Sequence, residues 1–113
     1  MRKFIALSIA FIILALACSG CLKSSYSPSP EEIKAKAIAE CLKVCKRQLR
    51  LGENFSSGPC LSDWVVEGWA CDVVHSPPQP VDNEIENQCA FFRMGKAKHL
   101  VEVDEQCRFV GIK

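Results

Sequence analysis

The residues best equipped for chemistry in this chain are eight cysteines and two histidines, spread over 113 residues. Cys18 and Cys21 stand where a long apolar run gives way to a Ser/Pro-rich stretch, "LALACSGCLKSSYSPSP". Their spacing admits three readings: a redox couple, a lipid attachment point, or part of a disulfide framework. A C-x-x-C redox couple needs a folded setting that depresses a thiol pKa, and this pair abuts an apolar leader instead. Cys41, Cys45, Cys60, Cys71, Cys89 and Cys107 lie in the remainder of the chain. Structural zinc sites repeat C-x₂₋₄-C pairs at suitable distance. Cys41/Cys45 is one loose pair and the others stand alone, so no metal and no cofactor is expected. Pairing of all six as disulfides is the expectation.

His75 and His99 are the candidate catalytic residues, with Asp72, Asp82, Glu84, Glu86, Glu102 and Asp104 nearby in sequence. Both histidines and one carboxylate would suffice for zinc or acid/base chemistry if the fold joined them. Asp72/His75 and His99/Glu102 are spaced i,i+3, and in strands such residues point to opposite faces. Each pair therefore reads as two unrelated residues. No G-x-S-x-G, H-E-x-x-H or phosphate-binding glycine loop is present. Asn54-Phe55-Ser56 is a glycosylation sequon, or an ordinary polar loop.

The N-terminus sets the compartment. Arg2 and Lys3 precede "FIALSIAFIILALA", a charge-free run of 14 residues from Phe4 to Ala17. That length fits a signal-peptide apolar region and is short for a membrane span. The pattern resembles a prokaryotic lipoprotein signal, in which a small residue precedes the acylated cysteine. Lipidation at Cys21, palmitate included, leaves an even six cysteines; lipidation at Cys18, the alternative, leaves Cys21 odd. The reading divides the chain into a signal peptide (1–20), a Ser/Pro-rich tether (21–29) and a cysteine-rich domain (30–113). A signal-anchored protein without lipid is the alternative.

The elements that must position the cysteines follow. Ser29, Pro30 and Glu32 form a helix start with a capping box, and Gly52 a stop, predicting a helix over 30–51. Ile33, Ala37, Ile38, Cys41, Leu42, Val44, Cys45 and Leu49 fall on one half-circle at about 100° per residue. Lys36, Lys43, Arg47 and Arg50 fall on the other, facing solvent with Glu32–Lys36 pairing, or anionic headgroups. Cys41 and Cys45 share a face, and a bond between them is geometrically poor. The expected pairing is Cys60–Cys71, with Cys41 and Cys45 reaching Cys89 and Cys107 in some order. Residues 63–75 read as two extended pieces split at Gly68. Residues 84–95 read as a helical turn and then an extended piece, and 99–112 as a hairpin. Trp64, Trp69, Phe91 and Phe92 are core fillers rather than a recognition patch. The fold class is α+β: one long amphipathic helix on a small antiparallel sheet, stapled by disulfides.

The segments "CDVVHSP", "DNEIENQC" and "HLVEVD", between Cys41 and Cys107, resemble a group of small cysteine-rich exported archaeal proteins of unknown function. The resemblance implies a recurring six-cysteine unit and supplies no activity. Without Arg2 and Lys3 the chain carries 12 Lys+Arg against 13 Asp+Glu, which gives no electrostatic case for nucleic acid. The functional expectation is a membrane-anchored extracytoplasmic lipoprotein, a binding or structural module whose protein or small-molecule partner the sequence leaves open. A metal-dependent hydrolase using His75 and His99 is the alternative.

Overall fold

The computed structural model describes residues 25–113. The expected signal peptide, Cys18, Cys21 and residues 22–24 of the expected tether lie outside the described residues.

Helix α1 spans Pro30–Arg50. The Ser29 hydroxyl accepts the Glu32 N–H at 3.3 Å, and the Glu32 carboxylate accepts the Ser29 N–H at 2.7 Å. Two orphan donors of the first turn are thereby satisfied. Tyr26 also donates to Glu32. Ala37, Cys41 and Cys45 are buried, and Ile33, Ile38, Leu42 and Val44 pack around them. The last turn departs from the expected half-circle. Leu49 is 44 % exposed, and Gln48 turns inward instead, donating to the Leu61 carbonyl at 3.2 Å. Lys36, Lys43, Arg47 and Arg50 are exposed. The ion pairs of this helix are Lys34–Glu31 and Lys43–Glu40, not Glu32–Lys36.

Four strands form one sheet in chain order: β1 (Cys60–Val66), β2 (Trp69–Val73), β3 (His99–Val103) and β4 (Phe109–Ile112). β1 and β2 make the hairpin turned at Glu67-Gly68, where Gly68 has a φ of 80°. Few side chains tolerate that backbone. β3 and β4 form the second hairpin. The two hairpins join through β2 and β3, which run parallel. This corrects the antiparallel expectation, and the reason lies in the connection. Residues 74–98 cross the sheet face before β3 begins, as a parallel pair requires. They include two 3-10 turns, Pro80–Asn83 and Ile85–Asn87, and a short helix α2, Ala90–Arg93, where an extended piece was expected. Asp63 caps α2 from a distance: its carboxylate accepts the Phe91 N–H at 3.0 Å.

The sheet therefore has two covered faces. Trp69, Cys71, Val73, Val101 and Val103 face α1. Ala70 and Leu100 face the crossover, packing with Cys89, Ala97, Phe91 and Phe92. The disulfides follow this division: Cys41–Cys71 and Cys45–Cys107 tie α1 to the sheet, and Cys60–Cys89 ties the crossover to its other face. The expected Cys60–Cys71 bond is not formed. Cys60 lies opposite Asp72 in the strand register. Cross-strand partners share a face, so Cys60 points with Asp72 toward the crossover while Cys71 points to the helix. Cys45 reaches Cys107, and Cys41 takes Cys71 in place of Cys89.

Candidate functional site

β2 is buried at every position, and one of its five residues is an ionisable carboxyl. That residue, Asp72, is 5 % exposed and directed to the crossover face. Together with Leu100 and Glu102 of β3 it floors a pocket of about 420 Å³. Val74, Phe92 and Val110 supply apolar wall, and Arg93 and Lys113 are the cations lining it. The register explains the grouping: Asp72 is the partner of Glu102 across the parallel pair, so the two carboxylates share a face.

Asp72 Oδ1 has no hydrogen-bond partner among the described residues. Burial pushes its carboxyl up to about 8, and repulsion from Glu102 and Asp82 adds to the effect. The Lys113 ammonium and the Val73 backbone N–H oppose it. Lys113 is committed elsewhere, with Nζ 3.5 Å from Glu102. A buried polar atom left unpaired costs on the order of 1–3 kcal/mol, and native structures contain few.

One wall is a latch built on His75 and Asp82. His75 Nδ1 lies 2.7 Å from Asp82 Oδ1, and Nε2 lies 3.1 Å from Glu105. Asp82 Oδ2 accepts the N–H groups of His75 (3.2 Å) and Gln79 (2.9 Å). Burial raises the Asp82 carboxyl, but the Gln79 N–H, the His75 ring and the His75 N–H outweigh it and hold it below the ordinary carboxylate range. Both His75 nitrogens thus face carboxylates, leaving neither ring nitrogen for a metal or a substrate proton. Gly58 makes the latch fit. Its φ is 66°, and a Cβ there would overlap the Asp82 carboxylate and stand 3.1 Å from the Val73 carbonyl.

Comparisons with known families, curated proteins and solved structures find no match to this chain. The site must be read from its own geometry.

His99 does not join His75. It opens β3 opposite Trp69, on whose indole its ring stacks at 4.4 Å between centroids. His75 follows β2 beyond its far end, at least four residues along, or about 13 Å at 3.3 Å per residue. The two-histidine zinc site is therefore not assembled. Asp72 and His75, read from sequence as unrelated, line the same pocket because β2 ends at Val73 and strand alternation does not extend to His75. Glu105 was not among the expected carboxylates: it sits in the β3–β4 turn. Glu84 and Glu86 are exposed.

Cys60, Asp63 and Cys89 have the proximity of metal ligands. The two sulfurs are bonded to each other and Asp63 caps α2. The group is structural in this oxidation state. Asn54 is exposed, and its side-chain oxygen accepts the Ser56 N–H at 2.9 Å. Trp69 is buried, whereas Trp64 is 46 % exposed and meets Phe91 edge-on. Among the described residues no helix is long and apolar enough to cross a membrane.

Proposed function

We propose that this protein is an extracytoplasmic module, anchored to the membrane through a lipid on Cys21, that binds a small ligand in the pocket floored by Asp72. One observation carries the binding half: a buried carboxylate oxygen without a partner among the described residues opens into a pocket whose surface is mostly apolar, with a few charged groups at its edge. Ligand sites combine apolar lining with a few convergent polar groups in just this way. The hydrolase alternative has less support, because His75 is spent between Asp82 and Glu105 and His99 is stacked on Trp69. The anchoring half rests on the leader and on cysteine parity. All six cysteines beyond the tether are paired, so a cysteine left at position 21 has no partner among them.

The test uses the full chain extracted from its own membranes, alkylated without reduction. Its intact mass is expected to begin at Cys21, with added lipid and no alkylated thiol. On the same material, backbone amide shifts of Asp72, Leu100 and Glu102 are expected to move with members of a mixed-charge fragment set. A chain beginning at Met1 without lipid overturns the anchor. Silence of those amides toward every fragment overturns the binding module.

A further inference from the structure

The polar groups around the pocket differ in what remains available to a ligand. Asp82 is consumed by His75 and by two backbone N–H groups. Glu102 has the Lys113 ammonium at 3.5 Å. Asp72 alone presents a buried oxygen with nothing bonded to it among the described residues. Three carboxylates, those of Asp72, Glu102 and Asp82, converge on the same space, and their mutual repulsion is felt at Asp72. A neutral donor entering the pocket would satisfy the Asp72 oxygen and leave the repulsion. A cation would relieve both, because the attraction of opposite charges grows as water is excluded. Val74, Leu100, Phe92 and Val110 give the pocket an apolar surface that suits an apolar body behind the charge, while Ser76, Asn83, Gln88 and the Arg93 guanidinium complete the lining. A volume of about 420 Å³ lies at the small end of the range of ligand sites, roughly 300–1,000 Å³.

We infer that the ligand of this pocket is a small organic cation, a protonated amine on a compact apolar body, whose N–H groups bond the carboxylate of Asp72. The inference rests on the proposed binding function and specifies its chemistry. Lys113 is the internal competitor: its side chain is 61 % exposed, and its charge lies near enough to Asp72 to lower the carboxyl's pKa. The ligand's ammonium takes the place at Asp72 that Lys113 leaves open while it is held on Glu102. Asp72 is protonated in much of the free protein at neutral pH, so amine binding expels a proton to the buffer.

The test compares three probes of one shape on the oxidised full chain in detergent: phenethylamine, 2-phenylethanol and 3-phenylpropanoate. Titrations are followed by the amides of Asp72, Leu100 and Glu102, and by heats in buffers of different ionisation enthalpy. Phenethylamine is expected to bind at least about tenfold more tightly than either partner, as a hydrogen bond to a charged group predicts. Its binding releases a proton near pH 7. Asp72→Asn is expected to weaken it about 10- to 100-fold. Lys113→Gln, at an exposed position, removes the competitor and is expected to tighten it about threefold. Equal binding of the alcohol, or indifference to Asp72→Asn, overturns the inference. Preference for the carboxylate, lost in Lys113→Gln, overturns it while leaving a binding module. Failure of all three probes, with pocket amides moved by other fragments, overturns the amine alone.

Discussion

At the scale of single residues, the site depends on a glycine as much as on its charged groups. Gly58 has no direct part in the pocket, yet its missing side chain is what lets Asp82 lie under His75. Two penalties meet there: a left-handed backbone unfavourable to any Cβ, and overlap with the Asp82 carboxylate. Gly58→Ala is therefore expected to cost about 2–4 kcal/mol, combining backbone strain with a displaced hydrogen-bonded carboxylate. Thermal melts measure the loss. The shift should be local as well as global, with the His75 ring resonances moving and those of His99 unchanged. A loss within ~0.5 kcal/mol, the range of ordinary surface substitutions, would show that Asp82 does not hold His75. Cys107 is the second strained position, with a φ of 60°. It is held by its bond to Cys45 and by donation to the Asp104 carbonyl at 2.9 Å.

At the scale of elements, the crossover and the helix are fastened to opposite faces of one sheet, and they should be separable. Cys60–Cys89 closes a loop with a sequence separation of 29, for which chain entropy gives about 3–4 kcal/mol. Replacing both cysteines with alanine is expected to lower the melting temperature and to raise hydrogen exchange within residues 76–98. α1, still tied by Cys41–Cys71 and Cys45–Cys107, should keep its protection. Equal loss of protection in both would mean that the sheet and its two coverings unfold as one unit. The sequence already marked α1 through its capping box, the first hairpin through Gly68, and the last through its alternating strands. Those signals are local. The parallel pairing of β2 with β3 is not local, because it depends on where a 25-residue connection (74–98) returns the chain. The disulfide pairing was hidden for the same reason: it turns on a strand register that places Cys60 opposite Asp72. The pocket was legible only in fragments. His75, Asp72, Asp82 and Glu102 were visible as titratable groups, but grouping them required the parallel register, and Glu105 required the geometry of a turn.

For the whole molecule, the charged groups pull stability in opposite directions along the pH axis. Burial raises the Asp104 carboxyl, but the backbone N–H and guanidinium of Arg108 and the Gln106 N–H outweigh it and hold it low. Asp82 is depressed likewise. Such groups stabilise the fold above their unfolded pKa of about 3.9, and the gain is lost as pH falls through the folded value. Asp72 has the reverse sign. Its carboxyl is raised to about 8, so the folded protein holds a proton that the unfolded chain releases. Its contribution is complete below about pH 4 and declines as pH rises toward the folded value, at up to about 1.4 kcal/mol per pH unit. The full chain is accordingly expected to be most stable near pH 4–5, well below neutrality. Asp72→Asn removes the titration, so its melting temperature should match the native protein near pH 4 and exceed it at pH 7–8, by a margin on the order of 4 kcal/mol at pH 7. Melts of both proteins from pH 3 to 9 decide the matter, and parallel curves would show that Asp72 ionises in the fold without penalty. A protein that retains a group costly to its own stability at neutral pH pays for it with something other than folding, as binding sites commonly do. The same substitution that stabilises the fold is the one expected to weaken amine binding.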